Sequence, residues 1–122
     1  MYEVTVTTTI SASHHLRGYN GKCENAHGHN YKVQATVRSD KIDKTGLALD
    51  FGVLRERLHQ VTEKFDHIDL NQTDEFKEIN PSSENLARVI YKQLRAGIKE
   101  IHVQLVSIRV CETEGSCVLY YE

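Results

Sequence analysis

Two stretches of this chain alternate with period two, and they limit what it can fold into more than anything else does. From Tyr2 to Ser13, Val4, Val6, Ile10 and Ala12 share one parity, while Thr5, Thr7 and Thr9 take the other. From Asn30 to Arg38, Tyr31, Val33, Ala35 and Val37 again share a parity. Alternation rich in β-branched residues marks a half-buried strand. Between the runs, Arg17–Lys22 holds Gly18, Asn20 and Gly21, residues that turn a chain back. The two runs therefore read as neighbouring antiparallel strands.

That pairing decides how the histidines are read. His14 continues the inward parity of the first run, and His15 points away. His27 and His29 share the parity of Tyr31 and Val33, so both project from one face. Gly28 between them would let the backbone approach another group closely. Taken singly, a His-x-His recurs by chance, and His14 is a capped core histidine. Antiparallel pairing changes this by placing His14 and His27/His29 at the same end of the ladder. Three imidazoles with an open fourth position form a catalytic rather than a structural zinc arrangement. A thiol, Cys23, stands four residues before His27.

The rest of the chain builds the cover for that sheet. Ser39–Gly46 is polar and turn-like. Asp50 is an N-cap, and Phe51, Leu54, Leu58, Val61 and Phe65 recur at helical spacing. Asp66-His67 ends the helix, and the plain reading of that pair is a solvated terminus. Asn80–Asn85 starts a second helix, with Leu86, Val89, Ile90, Leu94 and Ile98 as its apolar stripe and Gly97 near its end. His102–Thr113 is a third strand. Val106, Ile108, Val110 and Glu112 take one parity there, Val103 and Leu105 the other, which needs a bulge or burial on both faces. Glu114-Gly115-Ser116 turns into a fourth strand, Cys117–Tyr121. Glu112 sits either at an exposed strand end or against a partner.

The expected fold is α+β: a four-stranded antiparallel sheet with two helices on one face, in the order ββααββ. Its open face and edges call for cover, and oligomerisation would supply it. At 122 residues the chain is one domain, 1–122. With 39% apolar residues it is not disordered, and a net charge of −2 gives no basic footprint for nucleic acid. No run of about eighteen apolar residues suggests a membrane span. Three cysteines and no secretory signal imply free thiols in a reducing, cytoplasmic setting.

Several motifs then fall in an order that resembles a known family. They are Ala12-Ser13-His14-His15-Leu16, Cys23 followed by His27-Gly28-His29, Leu49-Asp50-Phe51, Asp66-His67, Asn80-Pro81-Ser82-Ser83-Glu84 and Cys111-Glu112-Thr113. Over nearly its whole length the chain resembles the 6-pyruvoyl- and 6-carboxy-tetrahydropterin synthases of the tunnelling fold. The spacing from Cys23 to His27 is similar to that of the carboxy branch, which serves queuosine and other deazapurine synthesis.

The resemblance implies that His14, His27 and His29 bind Zn2+ and that Cys23 is the general base. It implies that Asp66 and His67 complete the proton transfer across a subunit boundary, and that Glu112 anchors the pterin ring. It implies 7,8-dihydroneopterin triphosphate as substrate, with acetaldehyde and triphosphate released. It also implies trimers whose sheets close a barrel, two of them stacking into a homohexamer. Arg17 or Lys22 would meet the triphosphate. Ser82 stands where the family commonly has threonine. Glu24, directly after Cys23, is either a loop residue or a second functional carboxylate, because a glutamate replaces the cysteine in a folate-making branch. The alternatives are therefore a pyruvoyl-forming or folate-precursor-forming sibling, or a non-catalytic zinc- or pterin-binding module.

Overall fold

The first pairing runs the full length of both strands. β1 (Tyr2–His14) and β2 (His27–Ser39) lie antiparallel, from Tyr2 opposite Ser39 to His14 opposite His27. The computed structural model describes residues 1–21 and 24–122. The alternation reads out as expected: Val6, Ile10, Ala12, Tyr31, Val33, Ala35 and Val37 are buried, while Thr5, Thr7 and Thr9 are exposed on the far face.

Two helices lie on the buried face. Asp50 caps α1 (Phe51–Thr62), its carboxylate accepting from the Gly52 amide at 2.7 Å and the Val53 amide at 3.3 Å. Ser82 caps α2 (Ser83–Gly97), accepting from Asn85 N–H at 3.1 Å. Leu54 and Leu58 of α1, and Leu86, Ile90 and Leu94 of α2, are fully buried. Each such side chain contributes roughly 1.5–3 kcal/mol on leaving water. Phe51 departs from the expected stripe: it is the first helical residue, beside the cap, and stays 58% exposed. Phe65 is buried, but α1 has ended by then. It lies in a 3-10 turn, Glu63–Phe65, with its ring 5.9 Å from that of Phe76.

The sheet has five strands rather than the expected four. β3 (Ile68–Asp69) pairs parallel to β1 at Ala12 and Ser13, β4 (Val103–Thr113) pairs with β2, and β5 (Ser116–Tyr120) pairs with β4. The order across the sheet is β3-β1-β2-β4-β5. A two-residue strand has no periodicity to read. It is placed by a neighbouring carboxylate, since Asp66 Oδ1 accepts from the Ser11 amide at 2.8 Å and His67 N–H donates to the Ser11 carbonyl. The parity shift in β4 is a bulge. Thr36 pairs with Ser107 and Val37 with Leu105, which leaves Val106 as the extra residue.

The expectation of free thiols is corrected for two of the three cysteines. Cys111 and Cys117 face each other across β4 and β5, with Cα atoms 4.0 Å apart, and form a disulfide. The register of that hairpin brings them together, and a count of cysteines cannot reveal it. Cys23 lies outside the described residues.

One ion pair ties α1 to the segment before β4. The Arg57 guanidinium donates to both Glu100 oxygens, at 2.6 and 2.7 Å. These hydrogen bonds hold the Glu100 carboxyl down at about 2. A depressed folded-state value means the stabilisation is present above the unfolded value near 4.5 and is lost as pH falls toward 2. Glu100→Gln therefore lowers Tm by roughly 2–5 °C at pH 7. The difference from wild type shrinks as pH falls toward 2 and vanishes only below it, as thermal unfolding followed by circular dichroism across that range will report.

Candidate metal centre

The β1–β2 register does the first work. His14 and His27 are directly opposite, and His29 faces Ala12 one step along the same face. One nitrogen from each of the three imidazoles falls within a group spanning 4.8 Å. The ring centroids are 4.6, 4.8 and 5.1 Å apart.

Backbone carbonyls then set which nitrogen of two rings points inward. The Pro81 carbonyl lies 2.7 Å from His14 Nδ1, and the Asn25 carbonyl 2.7 Å from His27 Nδ1. A carbonyl only accepts, so both Nδ1 atoms carry the proton and both Nε2 atoms present lone pairs. Those two Nε2 atoms stand 3.1 Å apart, and His29 Nε2 is buried with no hydrogen-bond partner. Burial also holds the His14 imidazole below its ordinary pKa, so the ring is neutral near pH 7. Lone pairs facing one another, together with an orphaned buried nitrogen, are satisfied by a cation. Three imidazoles, two of them with the outer N–H tied to a carbonyl, are a fitting donor set for a divalent transition metal, zinc included.

The surroundings hold His14 from two sides. The Tyr31 hydroxyl lies 3.1 Å from the same Nδ1, and burial raises its phenol above the usual range, which keeps it protonated. Asn80 fixes the loop beyond β1, accepting from the Arg17 amide at 2.8 Å and donating to the Arg17 carbonyl at 3.0 Å. Buried Asn71 treats His15 in the same way, at 2.9 and 3.1 Å. The segment Asn80-Pro81-Ser82 thus has three tasks: it clamps a loop, orients a histidine and caps α2.

The remaining site residues fall into two places. The Glu112 carboxylate joins the histidines, with Oε1 3.6 Å from His14 Nε2 and Oε2 3.8 Å from His29 Nε2. Asp66 and His67 lie on the outer edge of β1. Asp66 Oδ1 is 3.0 Å from His67 Nδ1, and the Ser11 amide holds the Asp66 carboxyl below its usual value. The His67 side chain is 81% exposed on a backbone with φ of 60°, a conformation that is costly without glycine. Among the described residues no hydrogen bond joins this pair to the three histidines, yet His67 and His29 line one open groove of about 510 Å³ with Ser13, Gly28 and Asp69. The Arg17 guanidinium donates to the Ile79 and Asn71 carbonyls at 3.2 and 3.4 Å. Lys22 and Cys23 lie outside the described residues. A Cβ on Gly28 would meet only the Ala12 carbonyl oxygen at 3.7 Å, ordinary contact rather than the expected close approach.

Sequence reasoning missed Tyr31, Asn71, Asn80 and the Pro81 carbonyl as parts of the site. Tyr31 carried an apolar-parity signal and the Asn80-Pro81 pair a helix-start signal. A carbonyl's role has no sequence signal at all.

Comparison with known proteins gives a consistent set of relatives. The family model described as 6-pyruvoyl tetrahydropterin synthase matches residues 3–122. A 6-carboxy-5,6,7,8-tetrahydropterin synthase from Bacillus subtilis is 31% identical over 126 residues, covering 98% of this chain and 84% of its own. A 6-pyruvoyl tetrahydrobiopterin synthase from Dictyostelium discoideum is 34% identical over 102 residues, covering 82% and 73%. The structure of Caenorhabditis elegans 6-pyruvoyl tetrahydropterin synthase superposes with a TM-score of 0.87 at 25% identity, over 99% of this chain and 95% of that one. No helix among the described residues is long and apolar enough to cross a membrane.

Replacing His27 removes one of the three nitrogens without opening the core, because His27 is only half-buried. His27→Ala is expected to weaken Zn2+ binding at least about 100-fold, read by competition against a chromophoric chelator. Zinc should raise the Tm of the wild type, and the variant should lose that increment.

Proposed function

The chain belongs to the 6-pyruvoyl tetrahydropterin synthase family, and on that premise we propose that it is a zinc-dependent lyase acting on 7,8-dihydroneopterin triphosphate. The products are 6-carboxy-5,6,7,8-tetrahydropterin, acetaldehyde and triphosphate, and the reaction serves queuosine and other 7-deazapurine synthesis. The observation that carries this reading is the trio of histidine nitrogens beside a carboxylate, two of them with the outer N–H tied to a carbonyl. A zinc ion held there supplies Lewis acidity toward the oxygens of the substrate side chain.

The chain's own residues bind, orient and move protons. The His14 and His27 rings are pre-set by Pro81 and Asn25, so they need no reorganisation when substrate arrives. Cys23 is the base that removes a proton from the side chain, and a cation near a thiol favours the thiolate it needs. The Asp66 carboxylate accepts from His67 Nδ1, which directs Nε2 outward as a proton relay. Glu112 accepts two N–H donors from the pterin ring, giving orientation and selectivity. The outward aim of His67 suits service to a neighbouring copy, so the active assembly is a homo-oligomer, a trimer or a dimer of trimers.

A second reading is the sibling activity that yields 6-pyruvoyl-tetrahydropterin, the activity in the name of the Dictyostelium relative at comparable identity. Glu24 beside Cys23 keeps a folate-precursor product in view as well.

Zinc-loaded protein given dihydroneopterin triphosphate should release acetaldehyde and triphosphate in equal amounts, measured by a coupled dehydrogenase assay and by phosphate analysis. Full zinc occupancy with triphosphate but no acetaldehyde points to the pyruvoyl product, and no turnover at all ends the lyase reading. Cys23→Ala should lower kcat by about 10²–10⁴-fold, and unchanged activity would remove Cys23 from the mechanism. Native mass spectrometry should find multiples of three chains, and a stable monomer alone contradicts the shared site.

A further inference from the structure

We propose that Glu112 is the fourth ligand of the metal held by His14, His27 and His29 while substrate is absent. The proposal rests on the reading that those histidines hold a metal. It gives Glu112 a contact distinct from the ring anchoring considered above.

The strand geometry aims this side chain. On one side of β4 the ladder pairs Cys111 with Cys117 and Thr113 with Ser116, skipping Glu112. On the other side its last pair is Lys32 with Cys111. Glu112 is therefore the extra residue of a bulge, the device by which strands re-aim a side chain next to a site. It shares the inward parity of buried Ile108 and Val110. The disulfide closes immediately beside it and ties down both strands of the hairpin at that level.

The chemistry of the contact then excludes ordinary pairing. Each carboxylate oxygen faces a different ring, Oε1 toward His14 Nε2 at 3.6 Å and Oε2 toward His29 Nε2 at 3.8 Å. Both distances exceed the ~3.2 Å reach of a good hydrogen bond. His14 Nε2 has no proton to offer, because its Nδ1 donates to Pro81, and His29 Nε2 has no partner at all. Among the described residues no lysine or arginine pairs with Glu112; its ion contacts are these two rings. The Glu112 carboxylate thus faces two of the three clustered histidine nitrogens, one of them a lone pair and the other without a hydrogen-bond partner. Two ligands of one four-coordinate zinc, each ~2.0–2.2 Å from the ion, stand about 3.3 Å apart. The observed separations are close to that span and longer than a hydrogen bond, as expected for groups that face a common ion.

Cobalt(II) tests this without turnover. Metal-free wild type titrated with Co2+ should take up one ion per chain and show the visible bands of a four-coordinate site. Glu112→Gln keeps the shape and removes the anionic donor. It should bind Co2+ about 10–100-fold more weakly and shift the bands, while its metal-free Tm stays near that of wild type. Independently of any variant, Glu112 in the wild type should be protected from carbodiimide-driven amidation when Zn2+ is present, and modified when it is removed, as read by peptide mass spectrometry. Unchanged Co2+ affinity and bands in Glu112→Gln, or equal amidation with and without Zn2+, overturns the assignment of Glu112 and leaves the three-histidine centre standing. Failure of the wild type to bind Co2+ more tightly than His27→Ala overturns the centre and this proposal together.

Discussion

The register that sets His14 against His27 is the constraint on which the rest depends. A shift of one residue between β1 and β2 would turn one histidine set to the far face and bury threonines in the core. Val6, Ile10, Ala12, Tyr31, Val33, Ala35 and Val37 all resist that slip, because each would leave the hydrophobic layer under α1 and α2. The three-histidine group is thus held in place by apolar burial along the entire length of two strands.

Around that register the protein uses backbone rather than charge to orient its rings. Pro81 and Asn25 contribute carbonyls, and Asn71 and Asn80 contribute amides that hold the chain beyond β1 as a neighbouring strand would. Among the described residues the segment between His14 and His27 has no ladder of its own, and these side chains replace one. The Glu112 bulge and the β3 edge then bring a carboxylate to the inner face and the Asp66–His67 pair to the outer one. The three histidines and the Asp66–His67 pair therefore sit on different sides of β1.

Much of this was legible in the residues. Alternation placed β1, β2 and the inward parity of His14, His27 and His29, and the Asp50 cap and the Asn80–Asn85 start signal marked the two helices. The shift of parity in β4 announced its bulge. Less legible were features that depend on two distant segments meeting. Phe51 fits the helical stripe but is exposed at the first turn. Ile68–Asp69 is too short for any pattern. The hydrogen bonds from Arg17 to the Ile79 and Asn71 carbonyls have no signal in the sequence either.

What the sequence by itself determined is the set of parities: which residues face the core, and hence that three imidazoles share one end of one face. Periodicity carries that information because burial acts residue by residue along a strand. Only the tertiary structure decided which nitrogen of the His14 and His27 rings points inward, where Glu112 is aimed, and that Cys111 meets Cys117. Those outcomes depend on carbonyls, bulges and cross-strand registers. They exist only once separate segments have packed, and no single stretch of sequence encodes them.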